Sequence, residues 1–200
     1  MDESVNSFLT DEIPLIADSV ATHVRPCIIG QSVRCSDDEI AIGSSKFCGA
    51  PDVPDTFEWP MTDDGPCWFL GQINLAECGQ FDTGVHIPKT GLVSFFYHDA
   101  GGPAGPQSRM LYFPREKLHR TEVVTDTRWG EDFHSRHLFP RSLVLIQGYC
   151  LPDVNELGLS PEQAIQYDDL DDFITAFNDS FADGTHQFFG LPRYVWQSVP

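Results

Sequence analysis

Three prolines, Pro51, Pro54 and Pro60, lie close together in the first third of the chain and set the strongest limit on what it can fold into. Each lacks a backbone N–H and biases its predecessor toward extended geometry, so helix is excluded there. Two tryptophans, Trp59 and Trp68, bracket an acidic turn, Thr62-Asp63-Asp64-Gly65-Pro66. The run that follows, Cys67 to Leu75, is apolar enough to predict a strand buried on both faces. A proline-rich strip leading into such a strand needs a scaffold to pack against.

The remaining sequence supplies one. Asp11 to Val24 puts Ile13, Ile16, Val20 and Val24 on one helical face, with Pro14 in the first turn and Pro26 beyond the end. Cys27 to Val33, Leu92 to Tyr97, Met110 to Phe113, Thr121 to Val124 and Ser142 to Tyr149 read as strands. Asp99 to Pro106, rich in glycine and proline, reads as a loop. Ser160-Pro161-Glu162-Gln163 is a helix start with a serine cap and proline at the first helical position. From Asp168 to Ala182 an amphipathic pattern sets Leu170, Phe173, Ile174, Phe177 and Phe181 against Asp168, Asp172, Thr175 and Asp179, and Asp183-Gly184 stops it. The expected fold is a β-rich α+β domain spanning 1–200, a mixed or antiparallel sheet or roll. An N-terminal helix at about 11–24 and a late helical segment at about 161–182 flank a core at 45–97.

Charge narrows the function. Thirty acidic residues against twelve basic ones give a formal net charge of −18. Such a surface repels phosphate backbones and anionic membranes, so neither nucleic acid nor membrane is an expected partner. A basic protein is compatible with it. Six cysteines (Cys27, Cys35, Cys48, Cys67, Cys78 and Cys150) show no C-x-x-C and no zinc-like pairing, and read as reduced, packed thiols. The N-terminus is acidic and lacks the basic and apolar regions of a signal peptide, and no apolar run is long enough to span a membrane. The expected location is the cytoplasm.

Few constellations carry chemistry. His134-Ser135-Arg136-His137 has a ligand-like spacing, but no third ligand lies nearby and Arg136 is a cation between the two, so a polar turn is expected. Cys48 with His186 as base is a weak nucleophile pair. A small-ligand binder or an enzyme of unknown reaction, with a pocket near Trp59, Gln72 and His186, is the alternative to a purely protein-binding role. Asp168, Asp169, Asp171 and Asp172 form the densest charge cluster. At a first helical turn they would complement the helix dipole; with Ser160-Pro161 starting a helix upstream, they are expected mid-helix, where like charges repel. These residues and Asp179 are the candidate partner-binding face.

Ser45-Lys46-Phe47-Cys48-Gly49-Ala50-Pro51, Trp59-Pro60 and Phe69-Leu70-Gly71-Gln72-Ile73-Asn74-Leu75 resemble, in order, the signature blocks of the YwqG-like family, a bacterial domain of unknown function. Ile87-Pro88 with Gly91 to Phe96, and His186-Gln187-Phe188-Phe189-Gly190-Leu191-Pro192 with Gln197, fit the later blocks. Cys48 stands where that pattern has the first glycine of a pair, so family chemistry does not depend on a thiol there. The family usually continues with a further strand-rich segment, so the chain is either a short form or a fragment. Relatives are often encoded beside secreted polymorphic toxins. The resemblance therefore implies an immunity protein that binds and neutralises a cognate toxin domain; the lack of a catalytic or ligand constellation makes it non-enzymatic, without cofactor or metal, and its acidity suits a basic toxin. One expectation is directly measurable: thiol titration of the denatured, unreduced protein should find all six cysteines reactive. A deficit traced to a native disulfide would contradict the reduced state.

Overall fold

The computed structural model describes residues 2–99, 106–114, 117–124, 139–164, 169–182 and 186–191. The fold is β-rich α+β. A seven-stranded sheet has the order β11-β1-β10-β2-β6-β7-β8, with strands β1 (Arg25–Arg34), β2 (Lys46–Phe47), β6 (Trp68–Asn74), β7 (Leu92–Asp99), β8 (Pro106–Phe113), β10 (Arg141–Cys150) and β11 (His186–Phe188). Two small pairs join β3 (Asp52–Pro54) to β9 (Leu118–Arg120), and β4 (Met61–Thr62) to β5 (Gly65–Pro66). The chain clusters into two compact units, one of Met1–Gln31, Phe81–His86 and Leu145–Pro200, the other of Ser32–Gln80 and Ile87–Val144.

In the first unit, helices α1 (Glu3–Glu12) and α2 (Ala17–Ala21) carry an aliphatic core. Val5, Leu9, Ile13, Ile16 and Val20 are buried with Leu151, Leu157, Leu170, Ile174 and Phe177. The expected single helix from Asp11 to Val24 is corrected by Pro14. The proline pushes Ile13 out of helical geometry, to φ −134° and ψ 52°, so α1 ends there and a second short helix follows. The apolar face survives the break because Ile13, Ile16 and Val20 still point inward.

Ser160 and Gln163 form the expected capping box, each accepting from the other's backbone N–H, and start α4 (Pro161–Ala164). The late amphipathic helix is α5 (Leu170–Phe181). Its Phe173, Phe177 and Phe181 all reach Phe8 of α1, at ring centroid separations of 5.9, 5.9 and 5.4 Å. Asn178 clamps the end of β10 through both its amide groups: its Oδ1 accepts from Leu151 N at 2.9 Å and its Nδ2 donates to Leu151 O at 3.3 Å.

In the second unit, β6 is buried on both faces except at Leu70, where an irregularity in the β6–β7 register turns that side chain outward. The turn between the tryptophans is the β4–β5 hairpin, and Trp59 closes it by donating Nε1–H to Cys67 O at 2.8 Å. A short helix, α3 (Leu75–Cys78), capped by Asn74, begins at the last residue of the run expected to be strand, Cys67 to Leu75. Thr121 to Val124 is not a strand; the strand lies just before it as β9, because Arg120 pairs directly with Asp52 in the β3–β9 register.

Cys48 has a positive φ of 54°, next to Gly49 at 69°. The side chain strains a left-handed turn that glycine would adopt freely. Cys48→Gly should therefore raise stability by about 0.5–1 kcal/mol, relief of strain outweighing the greater entropy of the unfolded chain. Gly49→Ala should lower it, since a Cβ there would lie 2.7 Å from Asp37 Cγ. Urea unfolding measures both, and a lower midpoint for Cys48→Gly would contradict the strain assignment.

Candidate functional site

The signature segment of the second unit converges on buried charge. Lys46, Asp52 and Gln72 have no exposure to solvent. Lys46 Nζ donates to Asp37 Oδ1 at 2.7 Å and to Ala50 O, and Asp37 Oδ2 accepts from Ala50 N at 2.7 Å. Asp52 is the centre of the set. Its carboxylate accepts from Arg120 Nε at 2.8 Å, Gly43 N at 2.8 Å and Gln72 Nε2 at 2.7 Å. Gln72 also donates to Ser44 O and accepts from Asp52 N, while Arg120 reaches the carbonyls of Asp37 and Ile40. Every group in this network is held by several others, as a buried charge requires.

Burial pushes the Asp52 carboxyl up, but the hydrogen bonds from Arg120, Gly43 and Gln72 outweigh it and hold its pKa below the ordinary value. Burial lowers the Lys46 ammonium's pKa against the opposing pull of Asp37 and Asp52. The arrangement shapes the backbone: Lys46, Asp52 and Gln72 are closed to solvent, and only Asp37 and Arg120 keep part of their side chains exposed.

The exposed candidate lies in the first unit. Asp169 caps α5 by accepting from Asp172 N, and Asp171 and Asp172 occupy its first turn. The expectation that this cluster sits mid-helix is corrected for its described members: Asp169 is non-helical, at φ −145° and ψ 62°, and α5 begins at Leu170, so Asp169, Asp171 and Asp172 meet the positive end of the helix dipole. Asp169 and Asp172 line a groove of about 570 Å³ together with Glu12 of α1, over a floor that includes Phe8, Phe173 and Ala176. Among the described residues no basic side chain lines it. A hydrogen bond with Asp169, and then that residue's charge, raise the pKa of Asp172, the mark of two carboxylates facing each other without a cation between them.

Of the other candidates, Asp171 and Asp179 are exposed on α5 outside the groove lining, and Asp168 lies outside the described residues. Gln72 is engaged in the buried network and Trp59 in the hairpin and in aromatic contacts with Phe57 and Phe96. His186 belongs to the other unit, half-buried in β11 opposite Gly30. Burial raises the pKa of the Cys48 thiol, which disfavours a thiolate. His134 and His137 lie outside the described residues, among which no group of three or more His, Cys, Asp or Glu side chains is placed to hold a metal. Sequence reasoning missed Lys46, Asp37 and Arg120 as a cluster, and missed Glu12 and Phe8 as groove partners of the aspartates.

The model of a family described as a domain of unknown function (DUF1963) matches residues 45–199, and the chain belongs to that family. No curated protein matches the chain.

Removing one member of the buried network strands its partners. Lys46→Ala should cost about 3–5 kcal/mol, read by urea unfolding. The Asp52 contribution has a definite sign in pH. Its folded pKa is lowered, so the stabilisation is complete above the unfolded value near 3.8 and is lost as pH falls through the folded value. The stability difference between wild type and Asp52→Asn should shrink over that acid window; a constant difference would contradict the assignment.

Proposed function

We propose that the chain is a YwqG-like protein-binding module that docks a basic partner in the acidic groove between α1 and α5. One observation carries the reading: three carboxylates, from Glu12, Asp169 and Asp172, border an aromatic floor with no basic side chain in the lining among the described residues. Such a rim attracts Lys and Arg, and the floor offers apolar area that the same partner covers. The net charge of −18 adds long-range steering. The family resemblance supports a cognate secreted toxin domain as that partner. Inhibition then follows from occupying the toxin's active site or its substrate path, without chemistry by the inhibitor. An immunity protein of this kind acts in the cytoplasm, where an incoming toxin meets its target.

The test is stopped-flow association with the cognate toxin domain that this reading requires. The variant Glu12→Gln/Asp169→Asn/Asp172→Asn keeps a capping side chain at Asp169 and removes all three charges. It should associate about three- to tenfold more slowly at low salt, with a flatter dependence on ionic strength. Equal salt slopes for variant and wild type would refute the groove as the docking site.

A further inference from the structure

Strand β8 is the last in its sheet: β7 lies on one side of it, and among the described residues no strand lies on the other. We propose that this open edge pairs, antiparallel and about a two-fold axis, with β8 of a second copy of the chain.

An open edge is a row of unpaired N–H and C=O groups, which folded proteins blunt with a bulge, an interior proline, a lysine or a very short strand. β8 lacks these devices. It pairs with β7 in an unbroken register of eight residues, from Leu92 opposite Phe113 to Asp99 opposite Pro106. From Gln107 to Phe113 it holds no proline and no lysine. Its one charge, Arg109, is held along its own strand, donating to Ser108 O at 3.1 Å and Gln107 Oε1 at 3.2 Å.

The side chains on one face point the same way. Phe47, Gly71, Phe95 and Met110 stand in one cross-strand row, and Ile73, Val93 and Tyr112 in the next. Both rows end at the β8 edge on a large side chain left open to water, Met110 at 69% exposure and Tyr112 at 49%. A second β8 supplies the next member of each row. With the axis through Leu111, Met110 of each copy lies opposite Tyr112 of the other, and Arg109 lies opposite Phe113, away from its own equivalent.

Charge selects a second copy as the occupant. At −18 each, two copies repel wherever their carboxylates meet, yet none of the thirty acidic residues falls between Gln107 and Phe113. A basic protein finds no carboxylate on this strand to attract it. The pairing is isologous, so it uses both β8 edges and stops at two copies. One eight-residue edge is a smaller contact than the ~1,600 Å² of a standard interface, so the dimer is weak, with a Kd of about 10–100 µM.

Sedimentation equilibrium of the full chain, from about 5 to about 200 µM, should show a monomer–dimer equilibrium in that range. Raising the salt from about 0.05 to about 0.5 M screens the repulsion between copies and should tighten the dimer about three- to tenfold, the opposite sign to the salt effect on toxin association. Ser108→Lys and Met110→Lys, both at exposed positions of β8, should each weaken the dimer about tenfold or more. Val85→Lys, an equal charge change at an exposed position of the other unit, should leave it unchanged. A monomer throughout the range would overturn the pairing and leave the edge to a strand of a different protein. A dimer indifferent to both β8 variants, or growth beyond two copies, would overturn it as well. No toxin domain is present in these runs, so their failure leaves the groove between α1 and α5 standing.

Discussion

A carboxylate with no access to water must be answered on every side, and Asp52 is such a group. Arg120, Gly43 and Gln72 all donate to it, and its own backbone N–H returns a bond to Gln72. Through these bonds one side chain ties together β3, β6, β9 and the loop before β2. Lys46 and Asp37 extend the network to the strained turn at Cys48 and Gly49. Ion pairs of this kind contribute little net free energy over an apolar replacement, because desolvation offsets the attraction. Their effect is on geometry: the proline-rich strip has a single way to lie that leaves no charge unpaired.

The first unit is built on the opposite principle. Its core is aliphatic and aromatic, and its charges face outward. Asp169, Asp171 and Asp172 begin α5, where the dipole tolerates them, yet their mutual repulsion is relieved only in part, as the raised pKa of Asp172 records. A cation brought to the groove would relieve the rest. The proposed binding surface thus follows from a local electrostatic imbalance that the fold itself leaves in place.

Much of the architecture was legible in the residues. Proline spacing, the apolar run into β6, the Ser160 cap and the stripe of Leu170, Phe173, Ile174, Phe177 and Phe181 each act locally, and each appears as a local element. The breaks at Ile13 and Asp169 were missed because apolar periodicity continues past Pro14 and the helix start at Ser160 suggested continuation, while neither residue is helical. Lys46 was visible only as a letter in a family block. Lysine is normally solvated, and its burial depends on residues far apart in sequence, such as Arg120, which lies 68 positions from Asp52. The groove was half legible: the aspartates stand out in any reading, but Glu12 and Phe8 join them only once α1 packs on α5.

The central claim is that the helix pair α1 and α5, and not the signature segment around Lys46 and Asp52, is the surface that meets a partner. Hydrogen–deuterium exchange of the chain, alone and with the cognate toxin domain, tests it directly. The account predicts that added protection concentrates in residues 3–12 and 169–181, with the strands around Lys46 and Asp52 unchanged. Protection centred on residues 46–54 and 118–120, with the two helices unaffected, would contradict it.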